Sequence, residues 1–81
     1  MSKKRSEDTR FDQTIGMYLR NCRTKKNISL QEIADKTGVT KMTVSRWETG
    51  EVRMYAQSLK DYCDCLNISI SEVFDYVEKH I

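Results

Sequence analysis

Proline is absent and glycine occurs three times in 81 residues, so long stretches carry nothing that breaks a helix from within. An all-α chain is the expectation. The length leaves room for a single hydrophobic core and excludes a second domain. No apolar run approaches the roughly 20 residues of a membrane span. The opening Met1-Ser2-Lys3-Lys4-Arg5 also lacks the apolar segment of a secretory signal. A soluble cytoplasmic protein with no membrane partner is expected.

Cysteine is scarce too. Cys22, Cys63 and Cys65 are odd in number and share no repeated spacing, which argues against a secreted disulfide framework. Cys63, Cys65 and His80 lack the two closely spaced ligand pairs of a structural zinc site, so no metal is expected. His80 is the sole histidine and sits next to the end of the sequence. No nucleophile with its base, phosphate-cradling loop or metal constellation accompanies it. An enzyme is not expected, nor is a cofactor or a small-molecule ligand.

What the chain does have is uneven charge. Residues 1–50 hold 11 Lys/Arg against 6 Asp/Glu, and residues 51–81 hold 3 against 6. On a single domain, that asymmetry turns the front half toward a polyanion. An ordinary solvated surface is the competing explanation.

Helical punctuation divides the rest. Residues 1–10 are polar, without apolar periodicity, and read as a flexible basic tail ahead of a domain over 11–81. Phe11, Ile15, Tyr18, Leu19 and Cys22 recur at helical spacing, and Asn27 is a left-handed stop. Ser29-Leu30-Gln31-Glu32 has the form of a capping box that opens a second helix. Its buried stripe is Leu30, Ile33 and Ala34, and Gly38 lets the chain leave with positive φ. Thr40 caps a third helix, 41–49, which ends before Gly50. A fourth, from about Ala56 to Leu66, buries Leu59, Tyr62, Cys63 and Leu66, and Asn67 closes it. Ser69-Ile70-Ser71-Glu72 is a second capping box, and Ile70, Val73, Phe74 and Val77 face inward or toward a partner.

Two short helices joined by a tight glycine-containing turn, with a small residue where they cross, make a helix-turn-helix over about residues 29–50. Ala34 is the small residue and Gly38 turns the chain. Val39 and Val44 fill the wedge, and Trp47 anchors the third helix on the core.

The chain resembles the lambda-repressor-like, Cro/repressor-type (XRE) helix-turn-helix family. The resemblance rests on Ile15-Gly16, Leu19-Arg20, Arg23, the Ile28 to Ala34 segment, Gly38-Val39-Thr40, Val44-Ser45-Arg46-Trp47-Glu48, Gly50, Leu59, Leu66 and Ile68-Ser69. Two positions depart from it. Leu30 stands where the family usually has a glutamine that braces a base contact, and Met54 stands where a proline is common.

The family's fold is a compact five-helix domain, and its function implies double-stranded DNA as the partner. The third helix would enter the major groove. Lys41 and Arg46 would donate to guanine edges, Met42 would meet a thymine methyl, and Ser45 would adapt. A phosphate contact for Lys41 and partner packing for Met42 stay open as alternatives. Thr40, Thr43, Thr49, Arg53 and Tyr55 would contact phosphates. Arg23 would pair with Glu48, holding the recognition helix and presenting its guanidinium near a phosphate. Lys3, Lys4, Arg5 and Arg10 either wrap the duplex, as arms of some relatives do, or are a featureless start.

Relatives bind inverted half-sites as two-fold dimers. A homodimer through Tyr76, Val77 and Ile81 is therefore expected. The implied role is a transcriptional regulator, in particular a repressor. The alternative is an antitoxin or adaptor that uses the same fold to bind protein.

Overall fold

The computed structural model describes the backbone of residues 2–81 and the side chains of residues 9–81. Five helices follow one another: α1 (Ser2–Lys25), α2 (Leu30–Thr37), α3 (Lys41–Thr49), α4 (Ala56–Leu66) and α5 (Ile70–His80). None of them is long and apolar enough to cross a membrane among the described residues.

Short-range chemistry bounds the later helices where the sequence places their ends. The Ser29 hydroxyl accepts the Glu32 N–H at 3.1 Å while the Glu32 carboxylate takes the Ser29 N–H at 3.1 Å. Ser69 and Glu72 repeat the exchange at 3.2 and 2.8 Å. Each box satisfies backbone donors that the first turn of a helix leaves without an intrahelical partner. Asn27, Gly38, Gly50 and Asn67 all adopt the left-handed conformation at the helix ends. The chain from 51 to 55 is irregular, so the Met54 segment adds no turn to α3.

α1 departs from the expected start. Its backbone is helical from Ser2, well before Phe11. Adding residues to an existing helix needs no new nucleus, and 2–10 hold no proline or glycine to stop it. Apolar periodicity marks where burial begins, at Ile15, rather than where the helix does. The side chains of Lys3, Lys4 and Arg5 lie outside the described residues, and so does their expected part in wrapping DNA.

Every helix contributes to one core: Ile15 and Leu19, Ile33 and Ala34, Val44 and Trp47, Leu59, Tyr62, Cys63 and Leu66, and Val73 and Val77. Two apolar residues of the helical pattern lie outside it. Phe11 and Phe74 are each 40% exposed, their rings 6.3 Å apart on the wall of an apolar groove of about 400 Å³. The expected dimer surface shrinks as well. Val77 is core, 3% exposed, and Tyr76 packs on Tyr18 and His80 with ring centroids 4.6 and 3.9 Å away. Of the three residues, Ile81 alone is well exposed.

α1 crosses α3 at close quarters. A Cβ built on Gly16 would stand against the Trp47 carbonyl oxygen and 2.5 Å from that of Glu48. One on Gly50 would lie 2.6 Å from Cγ of Gln13. The two helices therefore meet backbone to backbone at the C-terminal end of α3. Gly16→Ala forces them apart, and a loss of roughly 1–3 kcal/mol is expected. A lowered urea midpoint at unchanged slope would register it.

Burial also pushes the Cys63 thiol up, from its usual 9 to about 11, with the Asp64 charge adding to the shift. The folded chain keeps this proton where the unfolded chain has lost it. The resulting stability is complete below about pH 9 and declines as pH rises toward 11. Melting temperature should fall across that window, and Cys63→Ala should flatten the fall.

Candidate nucleic-acid interface

The turn between α2 and α3 is built as its residues suggest. The N–H groups of Gly38 and Val39 both donate to the Ala34 carbonyl, at 2.9 and 3.1 Å, closing α2 and reversing the chain within three residues. Ala34 and Ile33 are fully buried, and the methyl of Ala34 is short enough to let α3 cross close above it. The Thr40 hydroxyl then accepts the Thr43 N–H at 3.2 Å and opens α3.

α3 is divided lengthwise. Val44, Trp47 and Glu48 are 0, 4 and 7% exposed, and Val39 is half-buried beside them. The opposite stripe reads Met42, Ser45, Arg46 and Thr49, spaced three and four residues apart so that they align on one face. Lys41 lies at its N-terminal edge. Lys41, Met42, Arg46 and Thr49 are exposed, and Ser45 and Thr43 are half-buried. Among the described residues this stripe is left mostly open, and it presents two cations, two hydroxyls and a soft apolar tip to whatever lies outside.

The residues expected at phosphates are more varied. Tyr55 is 83% exposed. The Thr40 and Thr43 hydroxyls bond one another at 3.0 Å, and the Thr49 hydroxyl donates to the Arg46 carbonyl at 3.2 Å. Arg53 is held by an ion pair, Nε to Asp12 Oδ2 at 3.0 Å, which its sequence position did not suggest. On α2, Gln31 is engaged with Asp35 at 2.8 Å and Leu30 packs on the core. The first turn of α2 thus presents an apolar side chain where the family's bracing glutamine would stand.

Arg23 faces inward. Its Nε and Nη2 donate to the two carboxylate oxygens of Glu48 at 2.7 and 3.1 Å, and Nη1 donates to the Ile28 carbonyl at 2.8 Å. The hydrogen bond to Glu48 raises the guanidinium pKa even though burial opposes the charge. At 9% exposure the side chain is a brace between α1 and α3, with little surface left for a phosphate. A third member of this cluster was not legible in the sequence. The Tyr62 hydroxyl, from α4, donates to Glu48 Oε2. Burial first, and that hydrogen bond second, lift the phenol far above its usual pKa. Helical spacing placed Tyr62 in the core, and nothing local revealed what its hydroxyl would meet.

Breaking this cluster should be costly. Glu48→Gln leaves a buried guanidinium without its counter-charge, and a loss of roughly 3–5 kcal/mol is expected. Tyr62→Phe leaves the ion pair intact and should cost about 1 kcal/mol. Urea unfolding of the two variants would separate them.

The sequence profile of the Cro/C1-type HTH DNA-binding domain matches residues 18–79, a span that holds the whole helix-turn-helix, the C-terminal end of α1 and nearly all of α5. Two solved structures of the clp gene regulator ClgR from Corynebacterium glutamicum superpose on the chain. One has a TM-score of 0.82 at 24% identity, covering 86% of this chain and 74% of its own. The other has a TM-score of 0.79 at 25% identity, covering 85% and 88%. No curated protein matches the chain. An exposed, cation-bearing stripe on a short helix, seated by a tight turn and matched by that profile over most of its length, fixes the assignment: the chain belongs to the Cro/C1-type helix-turn-helix DNA-binding domain family.

Proposed function

We propose that the chain is a transcriptional regulator, acting as a repressor that binds an inverted-repeat operator as a homodimer in the cytoplasm. The single observation that carries this reading is the uncovered stripe of α3 over a buried Val44, Trp47 and Glu48. A rigid rod with one anchored face and one open polar face is what the major groove admits. The likeness to a protein described as a gene regulator supports the regulatory role.

In this reading Lys41 and Arg46 donate to the O6 and N7 of guanines, Met42 packs on a thymine methyl, and Ser45 adjusts to its neighbour base. Tyr55, the Thr49 and Thr43 hydroxyls and the backbone N–H groups that begin α3 approach phosphates and set register without reading sequence. Thr40 serves chiefly by capping α3. Arg23 contributes by holding α3 in place. A dimer doubles the contacts that a single short helix makes and imposes two-fold symmetry on the site.

Selection of bound duplexes from a random pool tests the proposal. Enrichment of a palindrome is expected, with Lys41→Ala relaxing one position in each half-site by about 1–3 kcal/mol of discrimination. Tyr55→Phe should weaken all sequences alike. Affinity should drop roughly 10³- to 10⁵-fold between 50 and 200 mM salt if 6–10 phosphates are contacted. Uniform loss from both substitutions would reject the division of roles. A chain that ignores every duplex would favour an antitoxin or adaptor that binds protein instead.

A further inference from the structure

Exposed apolar surface on this chain is gathered in one place. Of the seven large hydrophobic side chains left exposed among the described residues, Phe11, Val52 and Phe74 line a single groove. It holds about 400 Å³ and reaches down to the core residues Ile15, Trp47 and Leu59. Isolated apolar side chains on a surface need no explanation, whereas a contiguous patch marks a contact. The groove stands at the C-terminal end of α3, on its anchored side. Trp47 forms part of the lining, and so do Val52 and Met54 from the loop that follows. The Val52 N–H donates to the Arg46 carbonyl at 3.3 Å, which ties that loop to the last turn of α3. None of Lys41, Met42, Ser45 and Arg46 lines the groove, so it can be covered while the outer stripe stays open.

We propose that this groove is the two-fold contact between two copies of the chain, each setting its exposed Phe11, Phe74 and Val52 edges into the groove of the other. This rests on the homodimer of the reading above and gives it a surface. Charge favours a second copy as the occupant. The lining holds one acid and one base, Asp12 and Arg53, and these form an ion pair at 3.0 Å. A polyanion finds no net positive charge there, and a charged peptide finds no counter-charge. A patch that meets its own copy avoids like-charge repulsion only when it is neutral, and this one is. Shape agrees with charge. An isologous contact must supply both the knob and the hole from one surface, and here the apolar edges rise beside the hollow they would fill. Spacing is the third argument. The molecule measures 36 × 25 × 20 Å, so copies in contact at the end of α3 are within reach of half-sites one helical turn, roughly 34 Å, apart.

Phe74→Glu and Val52→Glu each put a charge on the patch at a side chain that is 40 or 38% exposed, so the fold should survive, and thermal melting checks that it does. Where Phe74→Glu melts early, Val52→Glu, on an irregular loop, carries the test. Sedimentation equilibrium of the full chain should show the dimer dissociation constant raised about a hundredfold, roughly tenfold from each of the two symmetric copies. Ile81→Glu, a charge at the exposed end of α5, should leave it unchanged. On DNA, the wild-type chain should hold the selected palindrome more tightly than a duplex with one half-site. Both groove variants should lose most of that advantage while keeping their affinity for the single half-site.

A dimer that survives both groove charges would overturn the proposal and leave the homodimer standing, with its contact at the α5 end if Ile81→Glu dissolves it. A wild-type chain that stays monomeric with and without duplex, yet binds it, would remove the homodimer and the groove contact together and leave the groove to a different protein or a small apolar molecule. Loss of the dimer by the groove charges in a chain that binds no duplex would uphold the contact and remove the DNA-binding reading.

Discussion

Three helices meet at one carboxylate. Glu48 sits on the inner face of α3 and receives Arg23 from α1 and the hydroxyl of Tyr62 from α4. A buried pair of this kind is weak as a source of net stability, because both ions leave water to form it. Its value is in orientation. An apolar contact tolerates sliding and rotation, whereas a two-point guanidinium–carboxylate fork fixes α3 about its own axis. The stripe of Lys41, Met42, Ser45 and Arg46 faces outward because Glu48 is held inward on the other side of the same helix. No buried side-chain polar atom is left without a partner among the described residues, so the orientation is gained without an unsatisfied group elsewhere.

Much of this was legible from the sequence, for a definite reason. The capping boxes at Ser29 and Ser69, the stops at Gly38 and Asn67, and the inner stripe of Val44 and Trp47 depend on residues within about one helical turn of each other. Local spacing records them directly. The Arg23–Glu48 pair, 25 residues apart, was foreseen only through family resemblance. Tyr62 with Glu48 and Asp12 with Arg53, 14 and 41 residues apart, have no local signature and were missed. Gly16 was noted as a family position, and its steric cause appeared only when α3 was laid across it. Where α1 begins also escaped the pattern, because residues 2–10 carry no apolar stripe to mark a helix.

Electrostatics divides the two arginines that the family resemblance placed together as phosphate partners. Arg23 is buried inside the fold, and Arg53 is ion-paired at its edge. Their charges count equally in the net value of the chain and differ in what they offer a polyanion. Formal charge therefore overstates the positive potential near α3, and the correction comes from the particular carboxylate that faces each cation.

The contact between α1 and α3 runs through main chain at Gly16 and Gly50, and the side chains on the outer stripe of α3 take no part in it. Lys41, Met42 and Arg46 are exposed and Ser45 is half-buried, so packing constrains this stripe little. In evolutionary terms the scaffold and its outer stripe are separable: drift at Lys41, Met42 and Arg46 can change what this face offers while the folding free energy stays nearly constant. Descendants of one ancestral chain would then diverge at this surface long before they diverge in shape.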